Sequence, residues 1–200
     1  MTRWATGAEQ ITAMLAAGEL EQVAPSPQNA ARLLAEADRH LRSAALLAAD
    51  DPAGAYDMVY AAARKAMAAA LATQGLRATS KGGHVAVQEA VTGQLGTRGE
   101  VVRPFGRLRR TRNDADYPRL DSPELTADDV HEDLPKARQI VAAMAALLPY
   151  LAPWRRALSP AALHTATCTI RRIMEVEGGR WPDSIADVVR FDGWIRLRSA

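Results

Sequence analysis

Residues 26–75 read SPQNAARLLAEADRHLRSAALLAADDPAGAYDMVYAAARKAMAAALATQG. Two helix starts are predicted in this stretch, because Ser26-Pro27 and Asp51-Pro52 each place a capping side chain before a proline. Apolar residues then recur every three or four positions through both segments, which is the spacing of a helix with one buried face. Gly75 predicts the end of the second segment. The stretch therefore predicts two long consecutive helices.

The composition of the whole chain favours the same class of fold. The 200 residues are 48% hydrophobic and 24% charged, as in an ordinary soluble protein, and only 5% are aromatic. Abundant alanine favours helix, and the small number of aromatic residues weakens any case for a sheet. We therefore expect an all-α protein, with room for one domain and an appendage or for two small domains.

Further helices are predicted on both sides of the central pair. Thr126 and Asp129 resemble a capping box at the start of the clearest of them. Residues 76–83 are predicted to be a loop, and Gly93 to end the short helix after it. The predicted segments are 6–17, 84–93, 101–116 and 127–151.

A change of composition marks a boundary near residue 152. Three of the four tryptophans, Trp154, Trp181 and Trp194, lie beyond it. The sequence predicts an N-terminal helix and linker at 1–25, an up-down helical bundle at 26–152 and a C-terminal helical extension at 153–200.

Several classes of function find no support in the sequence. The four histidines, His40, His84, His131 and His164, are far apart and none stands at metal-ligand spacing from another ligand, so no metal is expected. The stretch SKGGH lacks the spacing of a phosphate-binding loop, and no cofactor is expected. Neither a leader nor an apolar run of membrane-spanning length is apparent, so a cytoplasmic location without membrane contact is expected.

Positive charge is concentrated around residues 109–118, which read RRTRNDADYP. Between residues 98 and 119 there are seven arginines against three acids, although the net charge of the chain is only +2. Such a segment attracts polyanions, but it is also typical of a solvated helix face. Arg110 with Asp114, and Arg112 with Asp116, have the spacing of ion pairs within one helix.

Residues from about 28 to 150 resemble the HEPN family, the higher eukaryote and prokaryote nucleotide-binding helical domains. Three pieces carry the resemblance: ARLLAEADRHLRSAALLAADDPAGAYDMVYAAARKAMAAALATQGLR, KGGHVAVQEAV and FGRLRRTRNDADYP. The last piece resembles the helix that bears the family signature, an arginine followed after four to six residues by a histidine.

The resemblance implies metal-independent RNA cleavage at a site shared by two protomers, with RNA or a nucleotide as the ligand. Arg112 matches the signature arginine, Asn113 the polar residue that often follows it, and Tyr117 stands where the histidine is expected. Tyrosine has an ordinary pKa of about 10, which makes it a poor base at neutral pH. Tyr117 as a hydrogen-bond donor or stacking residue, and Asp116 as the base, are the alternatives. Nucleic-acid contacts are predicted for Arg107, Arg109, Arg110 and Arg112.

The missing histidine leaves the function open between several classes. One is an RNA- or nucleotide-binding homodimer, of the toxin or defence type, with weakened or lost cleavage. Another is a non-catalytic module that binds a protein partner. A third is a toxin controlled by a nucleotidyltransferase antitoxin that modifies a tyrosine two residues after the histidine, a position that Arg119 occupies here.

Overall fold

The computed structural model describes residues 6–117 and 124–155, which form six α-helices and one two-stranded sheet. The helices are α1 (Ala8–Ala16), α2 (Pro27–Leu47), α3 (Pro52–Gln74), α4 (Gly83–Leu95), α5 (Phe105–Asp116) and α6 (Ala127–Leu147). Two 3-10 helices span Gly96–Val102 and Leu148–Tyr150. The all-α class is confirmed. The predicted C-terminal helical extension lies outside the described residues from position 156 onward.

The predicted start and stop signals of the central helices are confirmed. The Ser26 side chain accepts a hydrogen bond from the backbone N–H of Asn29 at 3.2 Å, at the start of α2. Asp51 accepts one from Gly54 at 2.9 Å, at the start of α3. Gly75 ends α3 with φ of 76°, a left-handed conformation that glycine adopts without strain.

Helix α3 is the centre of the core, because it packs against α2, α4, α5 and α6. Its predicted apolar stripe is buried, and so are many of its alanines, whose small side chains allow neighbouring helices to approach closely. The buried residues of the predicted stripe are Tyr56, Val59, Tyr60, Ala63, Met67, Ala70 and Leu71.

Two local predictions are wrong. The segment predicted as a loop after Gly75 contains strand β2 (Leu76–Ala78), which pairs antiparallel with β1 (Leu20–Gln22). Strands of three residues are too short to show a periodicity, and their pairing depends on contacts across the chain. Gly93 does not end α4, which continues to Leu95. An added Cβ at Gly93 would meet the Gln10 side chain of α1, so this glycine permits close packing of α1 on α4.

Within the described ranges, no helix has both the length and the apolar character required to cross a bilayer.

Candidate nucleic-acid interface

Helix α5 presents one side to the central helix α3. Phe105 and Leu108 are fully buried and fix α5 against the core. Phe105, Arg109 and Arg112 follow one another at the spacing of one helix face. Along this face the Phe105 ring stacks on Tyr60 of α3, with the ring centroids 5.1 Å apart. Helix α5, which carries the basic residues, is therefore fixed to the core through Phe105.

Two carboxylates fix the guanidinium of Arg112. Its Nε donates to Asp57 of α3 at 2.9 Å, and its terminal nitrogen Nη1 is 2.5 Å from Asp116. The predicted pair with Asp116 is therefore confirmed. The hydrogen bond to Asp57 is the main reason that the pKa of Arg112 is raised. A guanidinium has five N–H donors, and among the described residues none of the contacts of Arg112 uses Nη2.

Tyr60 joins Arg112 to a histidine of another helix. The Arg112 guanidinium carbon lies 6.0 Å from the centre of the Tyr60 ring, within the range of a cation–π contact. The Tyr60 hydroxyl and Nδ1 of His84, the second residue of α4, share a hydrogen bond of 2.5 Å. The ring centroids of Tyr60 and His84 are 5.6 Å apart. An arginine, a phenol and an imidazole thus form a continuous set of contacts.

Two further arginines, Arg64 and Arg109, are near enough to this set to act on it through their charge. The Nε atom of Arg109 is buried and has no hydrogen-bond partner within the described ranges. Arg64 of α3 and Arg109, together with Arg112, lower the pKa of His84, although burial is the largest cause. Burial likewise raises the pKa of Tyr60. We call this group the Tyr60 cluster; its members are Tyr60, Arg64, His84, Arg109 and Arg112.

Arg107 belongs to a different group of contacts. Its guanidinium lies 3.1 Å from the fully buried Asp133 of α6 and 2.9 Å from Glu132. The hydrogen bond to Glu132 is the main reason that the pKa of Arg107 is raised. These contacts attach α5 to α6, which is a structural role. Binding of nucleic acid by Arg107 stays a prediction.

The remaining predicted site residues lie on the surface. Arg110, Asn113 and Asp116 are exposed, and Tyr117 follows the last residue of α5 with 78% of its surface exposed. None of the contacts among the described residues joins Tyr117 to Arg112. The predicted pair of Arg110 with Asp114 is absent from the ion pairs of the described residues. The structure therefore brings together Arg109, Arg112 and Asp116, but not Tyr117.

His84, Tyr60, Asp57 and Arg64 were missed as site residues from the sequence. In the sequence His84 stands alone at the start of a predicted helix, far from any other metal-ligating residue, and in the part of the chain that the structure covers no group of three side chains could hold a metal ion. Tyr60 and Arg64 belong to an alanine-rich helix whose sequence is typical of a buried helix. Their spacing on α3, with Asp57, marks one helix face, but only the fold shows that this face meets α5.

The fold and the cluster define a class: an all-α bundle with an arginine-rich surface at the junction of three helices. Residues 30–147, more than half of the chain, match the HEPN domain family. The chain belongs to this family. No curated protein and no solved structure matches the chain.

Proposed function

We propose that this protein binds RNA in the cytoplasm through the Tyr60 cluster, as a HEPN protein of the toxin or defence type. The observation that carries the proposal is the position of Arg112. Asp57 and Asp116 hold its guanidinium through Nε and Nη1, and Nη2, which no described residue contacts, would donate to a phosphate oxygen. A guanidinium held in place in this way loses little conformational freedom when it binds a phosphate.

The charges of the cluster support an anionic ligand. Three guanidinium groups, of Arg64, Arg109 and Arg112, act on His84, and the ion pairs among the described residues neutralise Arg112 but neither of the others. The buried Nε of Arg109, without a partner among the described residues, is a further donor. A phosphodiester would supply acceptors for these donors, and Tyr60 and His84 would supply aromatic rings beside the backbone.

A homodimer is part of the proposal. Val85 is exposed next to His84 on α4, and Tyr117 is exposed at the end of α5, so apolar surface lies on both helices that supply the cluster. A two-fold axis close to these residues would place two copies of the cluster along one RNA strand. Sedimentation of the wild-type protein and of a Val85→Glu variant tests this arrangement, with a monomeric variant as the expected result.

The test of RNA binding compares two arginines of the same basic segment. Arg112→Ala removes a cluster residue, whereas Arg103→Ala removes an exposed arginine that pairs only with Glu100 among the described residues. Affinity for a labelled mixed-sequence RNA is measured by fluorescence anisotropy at several salt concentrations. We expect wild-type affinity to fall steeply with salt, and Arg112→Ala to weaken binding far more than Arg103→Ala. Equal affinity of wild type and Arg112→Ala would contradict the proposal.

The second candidate function is a module that binds a protein partner, and the two carboxylates on Arg112 favour it because they reduce its positive charge. A nucleotidyltransferase antitoxin is one such partner, and the exposed hydroxyl-bearing Tyr117 is open to modification. Purification from the native source separates the candidates. A stable protein partner without bound RNA supports the module, and an added nucleotide mass on the peptide of Tyr117 supports the antitoxin.

A further inference from the structure

The α5 helix lacks a histidine, but the fold brings one to Arg112 from α4. His84 bonds through Nδ1 to the Tyr60 hydroxyl, and the Tyr60 ring also contacts the Arg112 guanidinium. Tyr60 is held in turn by stacking on the buried Phe105, with an angle of 21° between the ring planes. The imidazole and the guanidinium are therefore positioned by the same rigid side chain.

We propose that His84 is the catalytic base of an RNA-cleaving site in which Arg112 and Arg109 hold the phosphate. The inference rests on the proposed function, since it requires RNA to bind at the Tyr60 cluster. In the reaction, a ribose 2′-oxygen attacks the neighbouring phosphorus, the O2′–P bond forms and the P–O5′ bond breaks. Nε2 of His84 accepts the 2′-hydroxyl proton, the departing 5′-oxygen takes a proton from water, and His84 returns its proton to solvent.

The surroundings of His84 favour the neutral imidazole that a base requires. His84 is exposed as a residue, and partial burial of its ring is the largest cause of its lowered pKa, followed by Arg64, Arg112 and Arg109. These arginines belong to α3 and α5, and Tyr60 of α3 is the other titratable group that faces the ring. Within the described residues no group of α1 or of the Gly96–Val102 turn contributes to the shift.

The contact with Tyr60 occupies Nδ1 of His84, so the proposed base is Nε2, in the tautomer that carries its proton on Nδ1. Burial raises the pKa of Tyr60, so its hydroxyl keeps its proton at neutral pH. When Nδ1–H donates to the phenolic oxygen, Nε2 carries the lone pair and is left for the 2′-hydroxyl. The same hydrogen bond stabilises the imidazolium formed by proton transfer. Tyr60 is therefore a positioning residue for His84.

The position of Tyr117 supports the assignment to His84. Tyr117 lies beyond the last helical residue and is largely exposed. No contact among the described residues joins it to Arg112, whereas His84 is linked to the Arg112 guanidinium through Tyr60.

The experiment uses the full chain and a pool of total cellular RNA, with a chelator present to exclude metal ions. Wild type is compared with His84→Gln, His84→Gly and the control His131→Gln, and cleaved ends are mapped by sequencing. Binding is measured in parallel with an oligonucleotide of 2′-deoxy residues, which lacks the attacking hydroxyl. Circular dichroism shows whether each variant keeps its helical fold.

We expect His84→Gln to lose cleavage by about 10²–10⁴-fold, the usual contribution of a general base, while binding is retained. Added imidazole should restore part of the cleavage in His84→Gly, which a purely structural role would not allow. His131→Gln, which removes an exposed histidine of α6 outside the Tyr60 cluster, should cleave like wild type. The inference is overturned if His84→Gln cleaves RNA at the wild-type rate, or if the wild-type protein binds RNA without cleaving it. Either result leaves the proposed RNA-binding function standing. If the wild-type protein does not bind RNA, the proposed function is refuted as well.

Discussion

Tyr56 of α3 donates a hydrogen bond of 2.6 Å to Asp133 of α6, although the two residues are 77 positions apart. The Asp133 carboxylate is fully buried and also accepts from Arg107 at 3.1 Å and from Lys136 at 2.7 Å. Burial, and then the bond to Asp133, raise the pKa of Tyr56. This network joins α3, α5 and α6, and so holds the helix that carries Arg112.

Asp133→Ala should lower the free energy of unfolding by about 3 kcal/mol, since it leaves Tyr56 and two cations without their buried acceptor. The value lies at the low end for buried charged networks, because Arg107 and Lys136 reach solvent. Urea denaturation measures the change. Asp38→Ala on the exposed face of α2 is the matched control, with an expected change near zero. Equal stability of the two variants would show that the network contributes nothing.

Thr126→Ala should lower the free energy of unfolding by about 1 kcal/mol at neutral pH, because it removes the N-cap of α6. The same contact explains a dependence on pH. The hydrogen bonds from Thr126 lower the pKa of Asp129 below its ordinary value of 3.8. The stabilisation is therefore present above that value and is lost as the pH falls through the lower pKa of the folded state. Denaturation at neutral and acid pH should show the two proteins converge in stability.

The features that could be predicted from the sequence are local. Ser26, Asp51 and Thr126 cap helices through atoms three residues away, so the signal and its partner are adjacent in the chain. The apolar stripe of α3 was also predicted, because burial on one side of a helix leaves a periodic pattern. The pairing of Arg112 with Asp116 is of the same local kind.

The contacts that define the candidate site depend on the fold. Asp57 is 55 residues from Arg112, and Tyr60 is 24 residues from His84, so no spacing rule relates them. Asp133 breaks the apolar pattern of α6, and its pair with Lys136 in the same helix involves a lysine that reaches solvent. Its partners Tyr56 and Arg107 belong to other helices. Polar contacts between distant helices leave no periodic trace in a single sequence.

Arg112→Gln should raise the pKa of His84 toward its ordinary value of 6.5, because it removes one of the three positive charges that lower it. Titration of the histidine ring protons by NMR measures the shift, and His84→Gln assigns the signal. A lowered pKa means that the folded state binds the proton less readily than the unfolded state. The free energy of unfolding therefore falls as the pH drops below about 6.5, and His40 contributes in the same direction.

The control for this titration is Arg103→Gln, which removes an equal charge from an arginine that is absent from the causes of the His84 shift. The pKa of His84 should remain at its wild-type value in that variant. If the pKa of His84 is also unchanged in Arg112→Gln, the guanidinium does not act on the imidazole. The link between Arg112 and His84 through Tyr60 would then not support a shared site.

Arg109 and Arg110 are neighbours in the chain with the same charge, which makes them a sharp test of the cluster. Arg109 acts on the pKa of Tyr60 and of His84 and has a buried Nε without a partner in the described part of the chain, whereas Arg110 is exposed. If RNA binds at the cluster, Arg109→Gln should weaken binding strongly and reduce the salt dependence by about one phosphate contact. Arg110→Gln should change affinity only slightly, through the general attraction of the basic segment. Equal losses in the two variants, measured by anisotropy across salt concentrations, would mean that RNA recognises the whole basic surface and not the face of α5 that meets Tyr60.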